Sequence, residues 1–586
     1  MMRIKMKTDL KRQLKNLQSP LETFVFPAVL LLWPLAAASQ GVSVMDTTYS
    51  LTNYAYPQSV GPMWRFATFL ANVLGSVLIR LPAGKTMLGM TVMCLLLISA
   101  SALTAYYTLG RMIPKWMMFI GEMIAIAYCW CPAVILYNYL TYLLLTIAGC
   151  ILFLAVSDVE EHRGLFMAAG AILGLNVLSR FANLTQPILI LAVIFYGVIT
   201  ERSTKTIRKV VLWCVIGYVI GFGAGYLLSV LLYGPSGYWS MIPRLFSSTG
   251  SAQSYTAGGM ISSILSAYAH SLEWFAIMGA CAAAGMIWFT LPIVRRIRAA
   301  GRILYAAGIL VLFRFFYGRG MFTVNYQDYG SMFEWGMMLV IMTLILCVID
   351  LTGAFNAGPE ERFLAAVVLL EILILPFGSN NYTYPVLNCM FMSAPFMLWM
   401  FRRIWQETRY KDMHFAWHSM GIAVIAAAIV QGGLFHCCFA FRDGTDGTAR
   451  TAVMDASSPA AGMHTTPENA KELEDLFAAL QQNNLQDRTL ITFGNIPGLY
   501  YLCGMEPALD TAWPDLDSYS TTAFSDALSR VDAQSSAVKP VIILHHEGEF
   551  QSESGPAKLE RLQQYIRDNS YKPVYDSDAY TVLTIQ

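Results

Sequence analysis

Long apolar runs constrain this chain more than any other feature of its sequence. About thirteen runs of roughly 16 to 25 residues, long enough to cross a bilayer as helices, begin near residues 23, 84, 116, 137, 164, 186, 209, 272, 302, 331, 362, 386 and 416. Charged residues make up only 13% of the chain, against about 25% in soluble domains. The sequence therefore predicts an all-α polytopic membrane bundle over residues 1–440, with about thirteen transmembrane helices.

The distribution of basic residues predicts the orientation of this bundle. With the N-terminus in the cytoplasm, 22 of the 29 Lys and Arg residues before residue 441 fall in cytoplasmic segments, as the positive-inside rule requires. An odd number of spans then places the C-terminus outside the cell, in a multi-pass protein of the plasma membrane. Residues 64–82 are expected to lie in the outer interface, within a first outer loop at 41–82. A cleavable signal peptide in residues 1–40 is the alternative for the first run.

The tail, residues 441–586, differs from the bundle in composition and is predicted to be a soluble extracytoplasmic α/β domain. It contains 10 basic and 21 acidic residues. Buried strands are expected at 488–494 and 539–546, and amphipathic helices at 468–482 and 558–568. Its single cysteine, Cys503, gives no disulfide framework.

Seven basic residues remain on or near the outer face, against the general bias: Arg65, Arg80, Lys85, Arg180, Arg244, Arg314 and Arg319. Arg180 and Arg314 lie near helix ends at membrane depth, where an unpaired charge is costly. Guanidinium groups suit phosphate oxygens, so an anionic ligand is one explanation. Snorkelling towards lipid headgroups or structural ion pairing is the other.

Asp46 is the earliest acidic residue on the predicted outer face. It stands in VMDTTYSLTNYAYP, among hydroxyl, amide and aromatic side chains. A carboxylate in that position is suited to accept a proton from an acceptor hydroxyl. The alternative is a helix cap or a local loop hydrogen bond.

Tyr, Asn and Arg are frequent in four further outer segments, at 137–142, 179–187, 317–331 and 377–385. Such side chains bind sugars, although aromatic belts at membrane interfaces recruit Tyr as well. The candidate sugar and acceptor pocket is Asn53, Tyr137, Asn138, Asn183, Tyr326, Asp328, Asn380 and Asn381.

Several of these features together resemble the GT-C superfamily of polyprenyl-phosphate-sugar-dependent glycosyltransferases. This superfamily includes protein O-mannosyltransferases, oligosaccharyltransferase catalytic subunits and lipid A aminoarabinose transferases. The likeness covers the membrane body in order and is carried by Asp46, Arg80-Leu81-Pro82, Leu109-Gly110-Arg111, Cys131-Pro132, Gly174-Leu175, Ser179-Arg180, Asn183 and the extracytoplasmic tail.

By this resemblance, Asp46 is the catalytic base, and Arg180, Arg314, Arg319 and Arg80 contact the donor phosphate. Two features depart from the family pattern: Asp46 is followed by Thr47, not by a second acid, and no DxD motif stands in a membrane loop. The second departure argues against a required metal.

The predicted function is an inverting transfer of one sugar from a polyprenyl-phosphate carrier to a cell-envelope acceptor, which is a polymer, a lipid or a protein. The substrate is a lipid-linked sugar; no cofactor and no nucleic-acid partner are expected, and membrane lipid surrounds the body. Two alternatives remain: a lipid or polysaccharide transporter or flippase, and a noncatalytic GT-C relative that binds a glycolipid.

Overall fold

The computed structural model describes residues 19–156, 162–248, 256–378, 381–408, 418–455, 458–534, 538–546 and 552–585. Within these ranges, eight helices are long and apolar enough to cross a membrane. They are Met87–Leu109, Leu136–Ala155, Phe181–Ile199, Thr204–Tyr233, Ala257–Thr290, Arg298–Gly318, Gly330–Leu351 and His418–Cys438. The chain is a multi-pass membrane protein.

The other predicted runs correspond to shorter helices. Leu21–Ala37, Lys115–Tyr128, Arg163–Ser179 and Pro359–Ile374 cover four of them. The run near residue 386 is broken into Tyr384–Leu387 and Ser393–Glu407. Every predicted run therefore falls on helical structure, and the predicted fold class is confirmed.

The segment 64–82, which is predicted to lie in the outer interface, contains no helix long enough to cross a bilayer. It forms two short helices, Pro62–Phe66 and Phe69–Leu78, followed by a turn of 3-10 helix at Pro82–Lys85. The longer helix has 10 residues and is therefore about 15 Å long, half of what a span requires.

Glycines set the closest helix–helix contact of the bundle, between Arg163–Ser179 and Thr204–Tyr233. A Cβ atom at Gly174 would lie 2.0 Å from the carbonyl oxygen of Tyr218, and one at Gly221 would lie 1.8 Å from that of Ala171. Only glycine allows the two backbones to approach this closely, which is how membrane helices gain dispersion energy without a hydrophobic driving force.

The tail forms a small α/β domain, as predicted. Its larger sheet, among the described residues, has four strands: Leu490–Phe493 lies parallel to Val541–His545, which is followed by Tyr580–Thr584 and Lys572–Asp576, each antiparallel to its neighbour. The predicted strands and helices are confirmed, the helices as Pro467–Gln482 and Gly555–Asp568. The last two strands and the helix Thr521–Gln534 were not predicted.

The first loop, residues 41–82, is built into this tail domain. Gln40, directly before the loop, forms a β-bridge with His464. His464 belongs to a small two-stranded sheet in which Ala452–Val453 pairs with His464–Thr465. The N–H of Gly61 donates to the carbonyl of Asp510 at 2.8 Å, and the N–H of Met87 donates to that of Pro459 at 2.9 Å. The tail therefore lies on the same side of the bundle as the first loop, which requires an even number of crossings between them.

Candidate active site

Asp46 is the first residue of a buried helix, Asp46–Ala55, in the first loop. The residue that caps this helix is Met45, not Asp46. A carboxylate in the first turn interacts favourably with the helix dipole. The Asp46 side chain is surrounded by protein but is still partly accessible from the surface. It is therefore available to a substrate.

Burial raises the pKa of the Asp46 carboxyl to about 6, and the nearby Arg442 guanidinium and the N–H of Asp46 itself partly offset this effect. The pKa is raised because loss of water outweighs the neighbouring cation. A pKa near 6 suits a general base, since the group remains mostly ionised at neutral pH and binds a proton more strongly than an ordinary aspartate.

The loop before Asp46 is held by the tail through Asp443. The Oδ2 atom of Asp443 accepts hydrogen bonds from the N–H of Val42 at 2.8 Å and from the hydroxyl of Thr465 at 2.7 Å. The Nδ2 atom of Asn469 donates to the carbonyl of Val42 at 2.7 Å. Because these donors and acceptors are buried and paired, the backbone leading to Asp46 is fixed by the tail domain.

The helix that follows packs directly on the tail backbone at Gly498. The N–H of Gly498 donates to the carbonyl of Val44 at 2.8 Å, and the hydroxyl of Thr52 donates to the carbonyl of Pro497 at 3.1 Å. A Cβ atom at Gly498 would lie 1.6 Å from the hydroxyl oxygen of Thr48, so a side chain there would displace the helix that carries Asp46.

Cys131 connects Asp46 with Arg180. Its sulfur is close enough to interact electrostatically with both the Asp46 carboxylate and the Arg180 guanidinium. Asn138 Nδ2 donates to this sulfur at 2.9 Å, and the N–H of Cys131 donates to Asn388 Oδ1 at 2.8 Å. An acid and a cation from separate parts of the sequence thus both lie near one short loop.

Arg180 lies in extended backbone between the helix Arg163–Ser179 and the 3-10 turns that open Phe181–Ile199. Its Nη2 atom donates to the carbonyl of Gly378 at 3.3 Å, in an exposed environment. One long hydrogen bond to a neutral carbonyl leaves most of the five guanidinium donors available to a ligand. The position suits an anion that approaches from the Asp46 side.

An apolar cavity of about 90 Å³ lies beside this constellation, at the end of the bundle nearest the tail. Thr47, Cys131 and Tyr139 line it on the Asp46 side, and Trp130 and Phe441 line it further on. The Trp130 ring stacks on that of Tyr329, with the centroids 4.7 Å apart. Aromatic faces with a few polar groups are the usual lining of sites for sugars and isoprenoid chains.

The other predicted phosphate contacts lie elsewhere. Arg314 and Arg319 are exposed, and the Arg319 guanidinium lies over the Phe315 ring, 5.3 Å from its centroid. Arg80 is exposed near the end of Phe69–Leu78. Arg180 and Asp46 are both close enough to the Cys131 sulfur to interact with it electrostatically; within the described ranges, no such link to Asp46 is seen for these three side chains.

Two further cations of the predicted outer face have structural roles. Arg65 donates to the carbonyls of Gln58 and Val60, each at 2.8 Å. Arg244 pairs with Asp510 of the tail at 3.0 Å. Both hold the first loop or the tail in place.

Of the predicted pocket residues near Asp46, Asn138 takes part in the site through Cys131. Asn53 is buried on the same helix as Asp46, and its Oδ1 accepts no hydrogen bond from the described residues. Tyr137 is half-buried beside Asn138. Asn183 is buried, and its Nδ2 donates to Thr141 Oγ1 at 2.8 Å and to the carbonyl of Asn176 at 2.9 Å, so its amide N–H groups serve helix packing.

The remaining predicted pocket residues serve local structure or lie outside the description. Asp328 Oδ1 accepts from the N–H of Gly330 at 3.1 Å, at the start of Gly330–Leu351. The Tyr326 hydroxyl accepts from Gln431 Nε2 at 3.4 Å. Asn381 is exposed, and its carbonyl accepts from the N–H of Tyr384. Asn380 lies outside the described residues.

Sequence reasoning missed Arg442 and Asn388, and it gave Cys131 no role in the site. Arg442 comes four residues after the end of the helix His418–Cys438, and a basic residue soon after the final span is the signal that could have drawn attention to it. No comparable signal marks Asn388, whose role depends on the three-dimensional contact with Cys131.

No group of three or more His, Cys, Asp or Glu side chains among the described residues is arranged to hold a metal ion. The metal independence expected from the sequence stays a prediction.

Comparison with known proteins gave matches to solved structures. No family model and no curated protein sequence matches the chain. It is similar to the oligosaccharyltransferase of Archaeoglobus fulgidus, solved in complex with zinc and sulfate, with a TM-score of 0.46 and 12% identity over 89% of this chain and 68% of that one.

The chain is also similar to ArnT from Cupriavidus metallidurans. The structure bound to undecaprenyl phosphate matches with a TM-score of 0.43 and 11% identity, and the apo structure with 0.41 and 12%. Each match covers 95% of this chain and 97% of the other. These are likenesses of fold alone.

Proposed function

We propose that this protein is a glycosyltransferase that moves a sugar from a polyprenyl-phosphate carrier to a hydroxyl of a cell-envelope acceptor, with inversion, on the outer face of the membrane. The observation that carries the proposal is that the Asp46 carboxylate and the Arg180 guanidinium both lie close enough to the Cys131 sulfur to interact with it electrostatically. A base and a phosphate-binding cation at one place are what a displacement at a glycosyl phosphate requires.

In the proposed reaction, Asp46 removes the proton from the acceptor hydroxyl as the oxygen attacks the anomeric carbon of the sugar. The bond between that carbon and the phosphate oxygen breaks, and its electron pair leaves with the phosphate. Attack from the face opposite the leaving group inverts the anomeric configuration. The products are the glycosylated acceptor, the polyprenyl phosphate and protonated Asp46.

Arg180 has two functions in this proposal. It holds the phosphate of the donor before the reaction, and it stabilises the negative charge that grows on the leaving oxygen. A guanidinium suits this role because it forms paired, charge-assisted hydrogen bonds with phosphate oxygens.

The apolar cavity beside Thr47 and Trp130 supports a donor with an isoprenoid chain. Beyond Thr47 and Cys131, its lining includes the aromatic side chains of Trp130, Phe439 and Phe441. In this proposal, a lipid-linked donor enters from the bilayer and places its phosphate near Arg180 and its sugar near Asp46.

The test is a transfer assay with purified protein and a panel of undecaprenyl-phosphate monosaccharides. Release of undecaprenyl phosphate in the presence of acceptor material from the cell envelope is the expected result, and NMR of the product should show an anomeric configuration opposite to that of the donor. Retention of configuration would contradict the single displacement. If undecaprenyl phosphate were released from no donor in the panel, the proposal that this protein is a glycosyltransferase would be wrong.

A further inference from the structure

A second cavity, of about 490 Å³, lies at the junction of the first loop and the tail. We call it the junction cavity. The backbone of Val42–Met45, directly before Asp46, forms one wall, and Arg442, the cation that acts on Asp46, stands beside it. The cavity therefore opens next to the proposed base, and Arg180 does not line it.

The opposite wall comes from the tail sheet. Gly494 and Asn495 follow the strand Leu490–Phe493, and His545 ends the parallel strand Val541–His545. In open α/β sheets, ligands bind beyond the carboxyl ends of parallel strands. The junction cavity occupies this place in the tail and is large enough for several sugar residues.

The lining of the junction cavity is polar and carries an excess of negative charge. Four carboxylates, Asp443, Asp446, Glu468 and Glu472, face one guanidinium, that of Arg442. Asp443 holds the first loop, and Asp446 accepts hydrogen bonds from the N–H and the hydroxyl of Thr448 at 2.9 and 2.7 Å. Hydroxyl and amide side chains complete the wall: Ser43, Thr445, Thr448, Thr466, Asn469 and Asn495.

We infer that the junction cavity binds the acceptor and that it favours a hydroxylated acceptor that carries amino groups, such as an amino-sugar glycan, over one that carries phosphate or sulfate. Hydroxyl and amide groups bind sugar hydroxyls, and carboxylates attract ammonium groups and repel anions. The inference deepens the proposed function, since it rests on Asp46 as the base, and Asp46 directly follows the Val42–Met45 wall of the cavity. It gives the tail domain the task of acceptor selection.

Binding of three tetrasaccharides to the purified full-length protein tests the inference. The probes are a glucosamine tetrasaccharide, its neutral N-acetylated form and a sulfated form, measured by titration calorimetry on Asp46→Asn protein so that no turnover interferes. The amine-bearing form should bind most tightly and the sulfated form least, and raising the salt concentration should reduce the difference.

Charge variants on one helix sharpen this test. Glu468→Gln and Glu472→Gln should each weaken binding of the glucosamine tetrasaccharide by about two- to fivefold. Glu474→Gln is the matched control, because Glu474 lies on the same helix but lines a different cavity. Binding of the neutral tetrasaccharide should be nearly the same in all three variants, which also shows that they are folded.

Several outcomes would overturn the inference. They are equal or tighter binding of the sulfated form, no binding of any of the three probes, or an equal loss in Glu474→Gln. The proposed function fails on different evidence, namely parental turnover by Asp46→Asn, so the two failures are distinguishable.

Discussion

The helices around Asp46 and the helix pair Ala257–Thr290 and Arg298–Gly318 are similarly apolar but differ strongly in packing. In Leu136–Ala155 and in Gly330–Leu351, 67% of the residues in the 18-residue apolar segment of the helix are buried. In each helix of the pair, only 11% of the corresponding residues are buried. Exposed apolar side chains such as Leu304, Leu310 and Val311 cover the pair. The packed helices hold the candidate site, whereas the pair presents most of its surface to lipid.

This difference separates the cations that hydropathy alone does not distinguish. The guanidinium of Arg180 and the carboxylate of Asp46 are both close enough to the Cys131 sulfur to interact with it electrostatically. Arg314 and Arg319 belong to the pair, and both are exposed. Packing, and not helix-end position, therefore identifies the candidate phosphate ligand.

The largest effect is expected from Asp46→Asn. Because Asn cannot accept the proton, turnover should fall by roughly 10²- to 10⁴-fold. Asp328→Asn is the matched control, since Asp328 makes a local cap and should leave turnover unchanged. The melting temperature of Asp46→Asn should be the same or higher, because burial opposes the charge on Asp46. Transfer at the parental rate would end the base assignment.

The next effect concerns stability and tests the packing contrast itself. Leu339 is fully buried in Gly330–Leu351, and Leu310 of the pair is 69% exposed. Leu339→Ala should lower the free energy of unfolding by about 2 to 5 kcal/mol, and Leu310→Ala should change it by less than about 0.5 kcal/mol. Denaturant unfolding in detergent micelles measures both. Equal losses would mean that a partner covers the pair.

Arg180→Gln should weaken binding of undecaprenyl phosphate by roughly tenfold to a hundredfold, the cost of a lost charge-assisted hydrogen bond. Arg314→Gln makes the same change in the lipid-exposed pair and should have little effect on affinity. Similar losses in both variants would show that the assay detects general attraction of an anionic lipid and not a site at Arg180.

The smallest effect is the pH dependence. The pKa of Asp46 is raised to about 6, so the ionised base is lost as the pH falls through this value. Below pH 6, kcat/KM should fall by about tenfold per pH unit, which gives the acid limb of the pH profile. Above pH 6, the ionisation of Asp46 should no longer change kcat/KM. In Arg442→Gln the pKa should be higher, because the offsetting cation is gone, and the limb should move to higher pH. An acid limb with its midpoint near pH 4 would contradict the buried environment of Asp46.

Much of the fold followed from the sequence. The thirteen apolar runs all fall on helices, because the bilayer requires a hydrogen-bonded helix wherever about 20 apolar residues follow one another. The tail strands at 490–493 and 541–545 were predicted from their apolar, β-branched residues. The strands Lys572–Asp576 and Tyr580–Thr584 were not predicted. The first is largely exposed at the edge of the sheet, and the second is mostly buried between the first and Val541–His545.

The candidate site was predicted only in part. Asp46 and Arg180 stood out because charge is rare at membrane depth, but four arginines were equivalent in the sequence. The raised pKa of Asp46 could not be predicted, since it depends on burial by the tail and on Arg442. Asp328 was predicted as a pocket residue from its Tyr-rich neighbours, although it stabilises the start of a helix.

The sequence by itself determined the membrane bundle, the α/β tail and the importance of an early acid, because hydropathy and charge are local properties that act residue by residue. Only the tertiary structure decided which cation meets that acid, how Asp443 holds its loop and where the junction cavity opens. These depend on contacts between segments far apart in the chain, and packing at a distance leaves no periodic signal in the residues that take part.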